Sequence, residues 1–233
     1  MIEKELQQVA DAKKAVVLSR FFKTGKGEYG EGDIFIGVSV PDQRKIARKY
    51  MRSISLSQVE KLLQSSIHEY RFTALIILEK MFRDGRCEAV FDLCMKNVKW
   101  INNWDLVDLG APSIIGPWVY EKKKWSILKE YARSGDLWKN RIAMVATYAG
   151  IRMDNFTQTM RIVKILLPHE HDLIHKAIGW MLREVWKRDA LLVEDFLKKN
   201  YDNIPRTTLR YAIEKFPKDK YERFLKGDVC GGN

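Results

Sequence analysis

The 233-residue chain is poor in cysteine and has no long apolar run. Its three cysteines, Cys87, Cys94 and Cys230, are too few and too scattered for a disulfide framework or a zinc site. Residues 1–14 are charged where a signal peptide has an apolar core, and no segment approaches the roughly 20 apolar residues that cross a bilayer. We therefore expect a soluble protein of the reducing cytoplasm.

Several catalytic and metal-binding motifs are also missing. The glycine cluster at 25–32 lacks the Lys-Ser/Thr ending of a phosphate-binding loop, and no nucleophile motif occurs. The cluster instead predicts a flexible loop over residues 23–40 that presents Tyr29. His169, His171 and His175 have a metal-like spacing, but no cysteine or carboxylate completes a convincing set. We expect neither metal nor cofactor.

Charge is what the chain has in excess. It carries 41 Lys and Arg against 30 Asp and Glu, a net charge of +11 at pH 7. Basic side chains displace counterions from a phosphate backbone, so this balance favours a polyanionic partner. The alternative is a solvated basic surface with no partner.

Helical patterns dominate the chain and predict an all-α fold. Residues 1–22 form an N-terminal cap helix in this interpretation, and Pro41 begins the next helix as a first-turn proline. The best strand candidate is the short stretch 34–40. No alternating pattern persists beyond it, so a sheet is not expected.

An internal repeat indicates how the helices are arranged. A basic residue followed by alanine and an apolar run recurs at Arg71, Arg141, Lys176 and Arg210, which fits one period of about 35 residues with a skipped register near position 106. This period predicts a single HEAT-like domain over 1–233, an α-solenoid. Residues from about 217 to 233 would form its C-terminal cap and tail.

The helix predicted at about 171–188 has two contrasting faces. Its core stripe contains Ile174, Ala177, Ile178, Met181, Leu182 and Val185. Lys176, Trp180, Arg183 and Lys187 fall on the opposite side, where an indole can stack on a base and cations can hold phosphates. Alternatively, Trp180 packs on a neighbouring repeat and the cations form a solvated face.

A second group of candidate residues lies in the irregular repeat. If Asn103 caps a helix, Trp104 and Asp108 share one face, with Asp105 beside them. Both carboxylates would also suit a helix N-terminus for purely structural reasons. Arg141 lies on an apolar stripe and needs an anionic partner, either a carboxylate such as Asp108, a DNA phosphate or an inter-repeat salt bridge.

These residues resemble the AlkD-type DNA alkylation repair family of HEAT-like repeat DNA glycosylases. The matching stretches follow one another in the expected order over nearly the whole chain: GDIFIGVSVPDQRKIA (32–47), NNWDLVD (102–108), DLWKNRIAMVA (136–146), KAIGWMLREVWKRD (176–189) and PRTTLRYAIEKFP (205–217).

The resemblance implies a right-handed solenoid whose basic concave face cradles duplex DNA. It implies hydrolysis of the N-glycosidic bond of cationic N3- and N7-alkylated purines by a monomeric cytoplasmic enzyme of base excision repair, associated with the nucleoid when it acts. The family's catalytic cluster matches Trp104, Asp108, Arg141 and Trp180. We expect further DNA contacts from Tyr29, Lys176, Arg183, Lys187, Arg206 and Arg210.

The expected chemistry suits these side chains. An alkylated purine is already a good leaving group, and its departure leaves an oxocarbenium-like sugar. An ionised Asp108 can stabilise that cation and orient water, while Trp104 and Trp180 add cation–π attraction. Two other functions stay open: a DNA-binding paralogue without activity, and a protein-interaction scaffold.

Overall fold

The computed structural model of the protein describes residues 1–228 and is all-helical in that range. Contacts between residues divide the chain into two compact units, one from Met1 to Trp118 and one from Val119 onward. The first sequence-based prediction, an all-α fold, is confirmed. Cys230 and the end of the predicted C-terminal cap, residues 229–233, lie outside the described residues.

The helices of the first unit are α1 Ile2–Gln8, α2 Ala12–Phe21, α3 Val40–Tyr50, α4 Leu56–Leu63, α5 His68–Arg83, α6 Cys87–Lys96 and α7 Trp104–Gly110, followed by a π-helical segment Ala111–Ile115. The division falls in α8 Gly116–Lys122. The second unit contains α9 Trp125–Ala132, α10 Leu137–Ala146, α11 Tyr148–Ile151, α12 Thr157–Leu166, α13 Asp172–Trp186, α14 Ala190–Lys199, α15 Arg206–Ile213 and α16 Lys218–Lys226. Short 3-10 turns occupy Val98–Trp100 and Tyr201–Asn203.

The predicted single cap helix over residues 1–22 is wrong, because the structure contains two helices there. Asp11 breaks the chain: it has an extended backbone, and its carboxylate accepts hydrogen bonds from the N–H groups of Lys13 and Lys14, which starts α2 anew. None of the residues of α2 is buried. Its N-terminus is tied to the following loop, since Asp11 N–H donates to the Ile36 carbonyl over 2.9 Å.

The glycine-rich segment after α2 is held by hydrogen bonds of its own. Glu28 and Glu31 accept from the backbone of Gly25 and Gly27, each over 2.8 Å. The strand candidate at 34–40 contributes only an isolated bridge from Ile34 to Ile67. Ser39 then caps α3, so helix begins at Val40 with Pro41 in its first turn, as predicted.

A helix begins at or near every register of the predicted repeat. Four of the predicted positions fall in α5, α10, α13 and α15, and the skipped one falls in α7. From each of these five helices to the next of the five, the starting residues are 33–36 positions apart. Within the first unit α5 packs against α7, and within the second α13 packs against both α10 and α15. The right-handed solenoid and its concave basic face stay predictions.

The core stripe predicted on α13 is confirmed. All six of its residues are fully buried, whereas Trp180 and Arg183 on the other side are half-buried and Lys187 is exposed. Gly179 lies against α15, where a Cβ atom would come within 2.4 Å of Tyr211 Cβ and 2.6 Å of the Thr208 carbonyl oxygen. The glycine therefore permits the close approach of these two helices.

We expect Gly179→Ala to lower the free energy of unfolding by about 1–3 kcal/mol, because backbone of α15 must move to admit the methyl group. Urea denaturation of the purified variant measures this. Gly85→Ala is not a suitable control, because Gly85 has a positive φ. Ser57→Ala, on the exposed side of α4, serves as the control. Equal midpoints for Gly179→Ala and wild type would contradict the close packing.

Cys94 is fully buried on α6, and burial raises the pKa of its thiol to about 12. Cys87 is half-buried and donates to the Phe82 carbonyl. Cys94 thus packs as a small hydrophobic residue. No helix among residues 1–228 is long and apolar enough to cross a membrane.

Candidate active site

The N-terminus of α7 carries Trp104 on an aromatic stack. Asn103 has the predicted capping role: its Oδ1 accepts from the Trp104 N–H over 2.8 Å. The indole lies parallel to Phe22, with ring centroids 5.0 Å apart, and edge-on to Phe21 at 5.9 Å. Phe21 is 62% exposed and Trp104 is half-buried, so this corner presents aromatic surface to solvent.

Asp108 lies one turn beyond Trp104 on the same helix and is also half-buried. After the end of α7 at Gly110, the chain continues as the π-helical segment Ala111–Ile115. Pro112 has no N–H to donate to the carbonyl four residues earlier, which explains why the regular α-helical ladder is interrupted here. Such π segments are frequent at functional sites.

Asp105 is part of a buried ionic network. Its Oδ2 lies 2.8 Å from His68 Nε2, and the other ring nitrogen of His68 lies 2.9 Å from Asp33 Oδ2. Arg71 Nη2 donates to Asp33 Oδ1 over 2.5 Å, and Asn103 Nδ2 donates to Asp33 Oδ2 over 3.1 Å. The network connects the glycine-rich loop, α5 and the start of α7.

Protonation in this network follows from its charges. Burial favours neutral His68, but the charge of Asp105 and the two carboxylate hydrogen bonds outweigh it and raise the pKa of His68. Burial likewise opposes ionisation of Asp33, but the His68 hydrogen bond and the Arg71 guanidinium outweigh it and lower the pKa of Asp33. Two carboxylates and two cations therefore balance each other.

A cavity of about 380 Å³ borders this network. Aromatic walls from Phe22, Phe35 and Phe72 meet His68 and Asp105 on one side, and α2 lies on the other. One polar group of its wall, the carboxylate of Glu69, is engaged within the protein and accepts hydrogen bonds from the N–H groups of residues 36–38.

In the second unit, Arg141 is buried with 5% of its surface exposed. One partner of its guanidinium is the backbone carbonyl of Leu173, which accepts from Nη1 over 2.5 Å at the start of α13. Trp180 lies further along α13, with its ring centroid 6.3 Å from that of Tyr148. The anionic partner expected for Arg141 stays a prediction.

The cations predicted on the polar face of α13 form ion pairs. Lys176 pairs with Asp172 at 2.7 Å, and Lys187 pairs with Glu184 at 2.7 Å. Arg183 contacts Glu184 and Glu214. The Lys176–Asp172 pair is exposed to solvent, and an exposed pair contributes only about 0–1 kcal/mol.

The remaining predicted DNA contacts differ from one another. Arg206 donates to the Leu225 carbonyl over 3.0 Å and to the Tyr201 hydroxyl over 3.3 Å, so it holds the end of α16. Arg210 is exposed on α15. Tyr29 is half-buried in the glycine-rich loop. Their contact with DNA stays a prediction.

The three clustered histidines have structural partners. His171 Nδ1 accepts from the Leu173 N–H and caps α13, His169 Nδ1 accepts from the His171 N–H, and His175 contacts the His169 carbonyl. Burial lowers the pKa of His169 and of His171. Among residues 1–228, no group of three or more His, Cys, Asp or Glu side chains could hold a metal ion.

Sequence reasoning missed His68, Asp33 and the phenylalanines that contact Trp104. Their separations along the chain are large: His68 is 35 residues from Asp33 and 37 from Asp105. No periodicity joins such positions, and only the adjacent aromatic pair Phe21–Phe22 before the glycine cluster offered a signal.

Comparison with known proteins identifies the family of the chain. The family model described as DNA alkylation repair enzyme matches residues 2–216. A solved structure described as a predicted DNA alkylation repair enzyme from Enterococcus faecalis is similar with a TM-score of 0.71 and 18% identity, covering 90% of this chain and 97% of that one. No curated protein matches. Since the family model spans nearly the whole chain, including Trp104, Asp108, Arg141 and Trp180, the protein belongs to the DNA alkylation repair enzyme family.

Proposed function

We propose that the protein is a monofunctional DNA glycosylase that releases cationic N3- and N7-alkylated purines from duplex DNA. The observation that supports this most directly is the pairing of Trp104 and Asp108 on one half-exposed face of α7. An aromatic ring and a carboxylate so placed are the groups needed beside a sugar that becomes cationic.

In the proposed reaction, the C1′–N bond breaks and its electron pair moves onto the purine, which leaves as a neutral base. The sugar gains oxocarbenium character, and the Asp108 carboxylate and the indole of Trp104 stabilise its charge. A water oxygen then bonds to C1′, and the proton it loses passes to Asp108 or to solvent. No strong general acid is required, because the alkylated base is already positively charged.

Arg141 and Trp180 complete the site in this proposal. In this proposal the basic side chains of α13 bind the phosphates of the duplex. Arg141, which is buried and anchored to the Leu173 carbonyl, binds a DNA phosphate in this proposal. Trp180 contributes a second ring, and phosphates replace the carboxylates that pair with Lys176, Arg183 and Lys187.

The test is release of free base from duplex DNA treated with a methylating agent, followed by chromatography. We expect the wild-type protein to release 7-methylguanine and 3-methyladenine and to leave untreated duplex intact. Duplex affinity should fall steeply with salt, since phosphate contacts release counterions. Salt-sensitive duplex binding without base release would identify a non-catalytic DNA-binding paralogue. Binding whose affinity does not change with salt would favour a protein-interaction scaffold.

A further inference from the structure

We propose that His68 is a positioning residue, held as an imidazolium between two carboxylates, that keeps Trp104 in place for catalysis. This inference rests on the proposed function and extends it to a residue that touches no substrate. His68 is the first residue of α5, is only 2% exposed, and lies between the glycine-rich loop and α7.

The geometry indicates that His68 is charged. Each ring nitrogen lies within hydrogen-bonding distance of a carboxylate oxygen, at 2.9 Å from Asp33 and 2.8 Å from Asp105. The carboxylate of Asp33 is ionised by Arg71 at 2.5 Å, and Asp105 also accepts from the Leu106 N–H over 2.8 Å. Ionised carboxylates only accept, so both ring nitrogens must donate, and an imidazole donates twice only when it is protonated.

Two routes connect this imidazolium to Trp104. Through the backbone, Asp105 is the residue after Trp104, and Asn103, which caps Trp104, donates to Asp33. Through the rings, His68 stacks on Phe35 at 4.4 Å and contacts Phe22 at 5.0 Å, and Phe22 is the ring on which Trp104 lies. Removing the proton affects both routes together.

Loss of the proton leaves excess negative charge in a buried place. Asp33 faces His68 from the loop, Asp105 from α7 and Arg71 from α5, while Lys13 and Lys14 lie across the cavity on exposed α2. With neutral His68, one carboxylate faces a ring nitrogen that no longer donates. The pKa of His68 is raised above 6.5. The hydrogen-bonded network that holds Trp104 is therefore intact below that raised pKa and is lost as the pH rises through it.

The experiment follows the protonation of His68 and the environment of Trp104 separately from activity. Two-bond ¹H–¹⁵N spectra report the imidazole, with His68→Gln assigning it among the four histidines. In protein labelled with 5-fluorotryptophan, the ¹⁹F signal of Trp104, assigned by Trp104→Phe, is followed from pH 6 upward. We expect His68 to be doubly protonated at pH 7 and the Trp104 signal to titrate with it. A neutral His68 at pH 7, or a Trp104 signal that ignores its titration, would overturn the proposal.

Kinetics supply the second arm. We expect kcat for base release to fall with the same pKa while KM stays constant, and His68→Gln to lower kcat about 10- to 100-fold by displacing Trp104. Adding Asp105→Asn to His68→Gln restores charge balance and should recover part of the lost rate. The control is Leu62→Ala, a destabilising change in the buried face of α4 that lies outside the network. An equal loss of kcat in Leu62→Ala, or no recovery of kcat in the double variant, would show that His68 only stabilises the fold and does not position Trp104.

The two arms also separate this inference from the proposed function. If the wild-type protein releases no base, the glycosylase assignment fails, and the two spectroscopic measurements still decide whether His68 is charged and controls Trp104. If base is released with a rate independent of His68, the glycosylase stands and the positioning role is wrong.

Discussion

Asp108→Asn is expected to lower the single-turnover rate of 7-methylguanine release about 100- to 1,000-fold with little change in duplex affinity. The amide has the shape of the carboxylate but lacks the charge that stabilises a cationic sugar, and one preorganised electrostatic group contributes about this much to a rate. Asp108 is half-buried beside Trp104 on α7, so the substitution removes charge from the proposed site without emptying a core position.

The matched control is Asp92→Asn, the same change at an exposed position of α6 in the same unit. Its release rate should equal that of the wild type. Binding to methylated duplex, measured by fluorescence anisotropy, shows that Asp108→Asn is folded and engages DNA. An unchanged release rate in Asp108→Asn would remove this carboxylate from the mechanism.

Asp33→Ala is expected to lower the free energy of unfolding by about 3–5 kcal/mol. The change leaves the guanidinium of Arg71, 1% exposed, and the imidazolium of His68 without their shared carboxylate, and an uncompensated buried charge is strongly destabilising. Urea denaturation followed by circular dichroism measures the effect.

Asp92→Ala serves as the control, because it is the same change at an exposed position of α6 in the same unit. Its effect should stay within about 0.5 kcal/mol of the wild type. The double variant Asp33→Ala/Arg71→Met removes one of the stranded cations and should regain part of the loss. If Asp33→Ala were as stable as Asp92→Ala, the ionic network would contribute nothing to folding.

Local rules account for the parts of the structure that the sequence predicted correctly. The 3.6-residue period placed the core stripe of α13 without error, because each of those positions depends only on helix geometry and apolar burial. Asn103 and Pro41 mark helix starts through backbone chemistry within one turn. Trp104 and Asp108 share a face for the same reason.

The prediction of a single N-terminal helix was wrong because the chain contains a competing local signal at Asp11. Asp11 can cap a new helix, and that preference outweighs continued helical periodicity across residues 9–11. The ion pair between Arg183 and Glu214 was missed for a different reason. Glu214 reaches Arg183 from α15, and a projection of one helix contains no information about its neighbour.

The sequence by itself determined the helical class, the helix starts near the predicted repeat positions and the family. These depend on periodicity, capping and motif spacing, all of which act over a few residues. Only the tertiary structure placed Asp33, His68, Arg71 and Asp105 in one buried network and Phe22 beneath Trp104. Buried charges require partners from any part of the chain that folding brings near, so their pairing is decided by packing and not by sequence separation.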